Sequence, residues 1–115
     1  MSYSRNENFV KTIKFIYKNM DASLTLEEIA RHVGISVSSL KRLFSDAINQ
    51  TPGAFIRRIR MEFALRSLQD REDSVLEIAL ASGFEDHAAF TRAFKETFGY
   101  PPSRAREKLN IVSEL

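Results

Sequence analysis

The sequence predicts an all-α fold of about seven helices. Three observations point there. Apolar residues recur at three- and four-residue spacing along most of the chain, the period of a helix with one buried face. Only four Gly and three Pro occur in 115 residues, too few for an all-β chain with many tight turns. One arrangement, a short helix, a Gly turn and a longer helix, also occurs twice.

Phe9, Ile13, Ile16, Tyr17 and Met20 place a first helix from about Asn8 to Met20, with Lys11, Lys14 and Lys18 on its other face. Thr25 followed by Glu28 is a capping-box pattern, so a second, short helix starts there and runs to about His32. Gly34 ends it, because Gly tolerates the left-handed backbone of a sharp turn. Ser36 caps a third helix with Leu40, Leu43, Phe44 and Ala47 as its apolar stripe. Pro52 suits the first turn of a fourth helix. That helix runs to Leu68, with Phe55, Ile56, Ile59, Phe63, Ala64 and Leu68 on one side. Asp70 to Ser74 is a charged connector. Val75 to Leu80 is a short helix broken near Gly83, Glu85 to Phe98 a longer one, and Gly99 to Pro102 a turn. A last helix is expected from about Ser103 to Leu109, with fraying beyond Asn110. The organisation is thus 1–50, a linker helix at 51–69, and 70–115.

The nine Phe supply large buried areas for so short a chain. The absence of Cys excludes disulfides, thiolate catalysis and Cys-ligated zinc. No apolar run reaches the length of a membrane span, and no secretory pattern opens the chain. The net charge is only +2, but its distribution is uneven. Lys41, Arg42, Arg57, Arg58, Arg60 and Arg66 dominate 41–66. Asp70, Glu72, Asp73, Glu77, Glu85 and Asp86 dominate 67–90. Arg92, Lys95, Arg104, Arg106 and Lys108 dominate 91–108. Two basic blocks flank an acidic bridge.

The internal repeat is the strongest feature. Leu26, Ile29, Ala30, Gly34 and Ile35 recur as Val75, Ile78, Ala79, Gly83 and Phe84. After the turn the offset grows by one, and Leu40, Arg42, Phe44 and Pro52 recur as Phe90, Arg92, Phe94 and Pro102. Small Ala residues let two helices cross closely, and the Gly residues turn the chain between them. The second helix of each pair keeps one free face. This is the helix-turn-helix, whose second helix fits the DNA major groove. One copy alone is as well explained by a simple helical hairpin. Two copies, each with basic residues on the free helix, favour DNA.

From Phe9 to about Lys108 the sequence closely resembles the AraC/XylS family of bacterial regulators. Ile78-Ala79, Gly83-Phe84-Glu85-Asp86, Phe90 to Lys95 and Phe98 to Pro102 resemble its second-motif signature. Leu26 to Ala30, Ser36, Leu40 to Phe44 and Arg60 through Ala64 to Leu68 match the first motif and linker. Two places depart from the pattern: Ala105 stands where an aromatic is usual, and Ala88 and Ala89 replace more polar or aromatic residues. The resemblance implies two helix-turn-helix subdomains on a long linker helix, binding double-stranded DNA as a monomer with both recognition helices in successive major grooves. It implies a transcription regulator, an activator by the commoner mode, with RNA polymerase as a further partner, in the cytoplasm on the nucleoid.

Carried over residue by residue, it implies base contacts from Ser38, Lys41 and Arg42 and from His87, Ala88, Thr91 and Arg92. Arg42 and Arg92 suit guanine O6 and N7, and Thr91 and Ala88 a thymine methyl. For His87 the residue type by itself favours a phosphate contact or a helix cap. Phosphate contacts are expected at the helix starts after Thr25 and Ser36 and from Lys95. Arg57 and Arg58 fit either phosphates or solvent, and His32 has no assigned role. The acids from Asp70 to Asp86 are expected to face away from DNA. No catalytic motif, metal ligand set or cofactor loop is present, so no enzyme and no cofactor is expected. If Met1 is the natural start, control comes from protein abundance. If the chain is a fragment, an inducer acts through other residues.

Overall fold

The computed structural model describes residues 2–22, 24–70 and 72–106, with side chains from Glu7 onward. Among these the chain is all-helical. The helices are α1 (Ser2–Lys18), α2 (Leu26–Val33), α3 (Val37–Ile48), α4 (Pro52–Asp70), α5 (Val75–Ala81) and α6 (His87–Phe98). A seventh helical segment begins at 102–106. The expected stretch from Glu107 to Leu109 and the fraying beyond Asn110 lie outside the described residues. The chain forms two compact units that part between Arg57 and Arg58, within α4.

In the first unit α1 packs on α2 and α3, and α2 packs on α3. Ile16, Ile29, Ala30, Val33, Leu40, Leu43, Phe44, Phe55 and Ile56 are buried. Phe44 meets Phe9 edge-on at 5.2 Å between ring centres, and Phe55 of α4 at 5.6 Å. Aromatic pairs in such tilted arrangements add to what their area alone contributes. Thr25 Oγ1 accepts the Glu28 N–H at 3.1 Å, the Thr25 half of the reciprocal capping box. Gly34 closes α2 at φ +85°, its N–H donating to Ala30 O.

In the second unit α5 packs on α6. Its core joins Met61, Ala64 and Leu68 of α4 to Ile78, Ala79, Phe90, Ala93, Phe94 and Ala105. Phe84, Phe98 and Tyr100 close round it, with Phe94 within 6 Å or less of Phe90, Phe98 and Tyr100. Gly83 takes φ +90° at the place Gly34 holds in the first copy.

Several expectations are corrected. Helix α1 starts at Ser2 and stops at Lys18. Its first turns carry no apolar pattern, so periodicity cannot show them. Ala47 is exposed and not part of the α3 stripe. Glu85 and Asp86 precede α6 and are not in it. The buried side of α4 is not one stripe: Met61 is fully buried and Phe63 only partly. At 3.6 residues per turn the side holding Phe55 and Ile56 is not the side holding Met61, Ala64 and Leu68. His32 stacks on Phe15 at 4.0 Å and so helps hold α2 to α1. Ala105, which stands where an aromatic is usual, is buried at 2% exposure.

Arg106 emerges as a fastener. Its Nε donates to Leu68 O at 3.0 Å and its Nη2 to Asp73 O at 2.8 Å. A cation thereby meets an unsatisfied carbonyl in the last turn of α4, where the helix dipole is negative.

Phe94 is fully buried against Phe90, Phe98 and Tyr100, which cannot all collapse into its space. Phe94→Ala is therefore expected to cost about 3–5 kcal/mol of stability. Urea unfolding followed by circular dichroism checks this, and a loss under about 1 kcal/mol would contradict the packing described.

Candidate nucleic-acid interface

Each unit presents one helix whose rotation is set by its buried side. In α3, Leu40 and Phe44 are fully buried and Leu43 is 6% exposed. Ser38, Lys41 and Arg42 consequently face solvent together, at spacings of three and four residues along one helix face. In α6, Phe90 and Phe94 are fully buried with Ala93 beside them. His87, Ala88 and Arg92 are exposed and Thr91 is half-buried. Thr91 Oγ1 lies 3.5 Å from His87 Nδ1, at the long limit of a hydrogen bond.

The expected phosphate-contacting residues are less uniform. Thr25 and Ser36 are exposed, but their hydroxyls are occupied as caps, so what these helix starts offer an anion is backbone N–H. Ser36 Oγ accepts the Ser39 N–H and donates to Ser39 Oγ, both at 3.0 Å. Arg57 and Lys95 are exposed. Arg58 is exposed too, and reaches Glu62 at 3.8 Å in a surface pair. Arg60, by contrast, is half-buried, and desolvation lowers its pKa from the ordinary arginine value.

The start of each recognition helix separates the two units chemically. Ser36 caps α3, and the first turn of α3 carries no acid. Its positive dipole end is therefore open to phosphate. Asp86 caps α6, with Oδ1 accepting the Ala89 N–H at 2.7 Å. A carboxylate already occupies the positive end of that helix. The acidic bridge thus does not stand wholly apart from the second recognition helix: its last member is that helix's cap. Helix α2 is likewise less receptive, with Glu27 and Glu28 in its first turn.

Other functional positions were not read from the sequence. Ser74 caps α5 through the Glu77 N–H. Asn49 closes α3 in the left-handed region at φ +55°, where Gly99 closes α6 at φ +83°. Both repeat at the offsets already present in the apolar pattern, Thr25 with Ser74 and Asn49 with Gly99. Aligning the copies across polar as well as apolar residues would have found them. Arg106 and its carbonyl partners left no such signal, because they are 38 and 33 residues apart. Among the described residues no cluster of His, Asp or Glu is arranged to hold a metal ion, and no helix is long and apolar enough to cross a membrane.

Comparison with known proteins gives a consistent picture. Residues 29–108 match the family model described as a helix-turn-helix domain. The chain is 39% identical over 84 residues to the probable transcription factor PqrA of Proteus vulgaris, covering 73% of this chain and 69% of that protein. The chain spans between 31% and 39% of the length of further curated relatives. Among solved structures it resembles an AraC-type DNA-binding transcriptional regulator from Chromobacterium violaceum. The TM-score is 0.83 at 25% identity, covering 90% of this chain and 93% of that one. It also resembles the C-terminal domain of AraT, a response regulator of Geobacillus stearothermophilus. There the TM-score is 0.85 at 28% identity, covering 88% and 84%.

The Asp86 cap has a measurable consequence. Asp86→Ser keeps a capping oxygen and removes the charge, so DNA affinity should rise about two- to fivefold at low salt, the size of a helix-end charge effect of about 0.3–1 kcal/mol. Fluorescence anisotropy with a labelled duplex reads this directly. Unchanged or weaker binding by a folded variant would show that α6's start does not approach phosphate.

Proposed function

Because the chain belongs to the AraC-type family of helix-turn-helix transcription regulators, we propose that it reads a specific DNA sequence with α3 and α6 in successive major grooves and activates transcription there. The observation that carries this is the matched pair of exposed faces, each held opposite a buried Phe at the same place in its repeat: Arg42 with Phe44, Arg92 with Phe94.

In this reading Ser38, Lys41 and Arg42 contact bases from the first unit, and His87, Ala88, Thr91 and Arg92 from the second. Arg42 and Arg92 each pair with guanine O6 and N7. Thr91 and Ala88 meet thymine methyls. Thr25, Ser36, Arg57, Arg58 and Lys95 set register on phosphates, the first two through the backbone N–H groups of the helices they cap. The subdomains are 1–50 and 70–115, with 51–69 as linker. The two readers differ in residues, so a monomer suits an asymmetric site of two half-sites about one turn, roughly 34 Å, apart. The chain acts without cofactor or catalysis, on the bacterial nucleoid in the cytoplasm, and RNA polymerase is its protein partner.

A selection from randomised duplexes, run on the wild type and on Arg92→Ala, tests the reading. Arg92→Ala should lose about 1–3 kcal/mol on the selected site and relax one base position. An identical base profile for both proteins would remove Arg92 from the readers. Affinity should also fall steeply between about 50 and 200 mM salt, by the counterion release that phosphate contacts cause. Binding indifferent to salt would point instead to a protein-interaction module.

A further inference from the structure

Beside the exposed face of α3 lies an open recess of about 330 Å³, lined by Asn8 of α1, Ile35 of the turn, and Ser39, Arg42 and Leu43 of α3. That is the small end of the range for ligand sites. Its three polar residues all bring donors. The Arg42 guanidinium has donors only. Ser39 Oγ already accepts from Ser36, which leaves its own proton to give. The Asn8 main-chain carbonyl is taken by Thr12 Oγ1 at 2.7 Å, and its side-chain amide, which can turn its NH2 toward an anion, adds two N–H groups beside its oxygen. Among the described residues no acid lines the recess. Among the described residues no hydrogen bond or ion pair engages Arg42. Ile35 and Leu43 supply an apolar wall.

We propose that this recess binds a small organic carboxylate, its oxygens between Arg42 and Ser39 and a compact apolar body against Ile35 and Leu43. A DNA phosphate shares the oxyanion chemistry, but it brings no apolar body for that wall. Arg42 cannot hold a carboxylate and a guanine at once. Occupancy therefore opposes DNA binding by the first unit, a consequence that rests on the function proposed above.

The probe is cyclohexanecarboxylate, titrated into the full ¹⁵N-labelled chain without DNA. Saturable shifts are expected at the amides of Ile35, Ser39 and Leu43 and the side-chain amide of Asn8. Cyclohexylmethanol, of the same shape without charge, should give none, and inorganic phosphate only non-saturating ones. Arg42→Gln should weaken the carboxylate at least tenfold, and Ser39→Ala severalfold. Scattered or linear shifts, an equal response to the alcohol or to phosphate, or undiminished binding by Arg42→Gln would each overturn the site. In a second arm, the carboxylate should weaken wild-type binding to the selected duplex severalfold against chloride at equal ionic strength. Saturable carboxylate binding with unchanged DNA affinity would overturn the exclusion. A wild type that selects no DNA sequence would count against the proposed function alone, since the first arm, run without DNA, still decides the recess.

Discussion

What each unit shows to solvent depends on how firmly one helix is held by its opposite side. A helix turns about 100° per residue, so a small change in rotation would replace one exposed set of side chains with another. Phe44 against Phe9 and Phe55 prevents that in α3. Phe94 among Phe90, Phe98 and Tyr100 prevents it in α6. Phe44, Phe90 and Phe94 are fully buried, and rings so placed leave no second packing of similar density. The face carrying Arg42, and that carrying Arg92, is a consequence of where those rings go.

On that shared frame the two units are electrostatically unlike. A neutral hydroxyl caps α3 and a carboxylate caps α6. Both satisfy a backbone N–H equally well, so the choice has little meaning for folding. It matters for what can approach. An uncompensated helix start attracts an anion, and one already facing Asp86 attracts it less. Together with Ala88 in place of a larger side chain, this makes the first unit the better equipped of the two under the function proposed above.

Helix α4 serves both cores with one continuous stretch of backbone. Phe55 and Ile56 belong to the first and Met61, Ala64 and Leu68 to the second. The requirement explains why no single stripe runs along it. Arg60 on the same helix is half-buried, and desolvation lowers its pKa. Arg106 secures the end of the same helix and the connector beyond it, so a residue in a basic block is committed to the fold.

The sequence by itself determined the helix count, the repeat, the turns at Gly34 and Gly83, the caps at Thr25 and Ser36, and the long linker. These are local: apolar spacing, one residue able to take positive φ, one hydroxyl three residues before a free N–H. It also placed Ser38, Lys41 and Arg42 off the apolar stripe of α3, and Arg92 off that of α6, which is why their exposure was legible. What only the tertiary structure decided is longer in range. Ala47 faces water because nothing packs over it, Met61 is buried because a second core needs it, and His32 has a partner in Phe15 seventeen positions earlier. Arg106 finds carbonyls more than thirty residues away, and Asp86 becomes a cap only because α6 starts one residue after it. No periodicity within one helix encodes such contacts, since each depends on where another helix has come to rest.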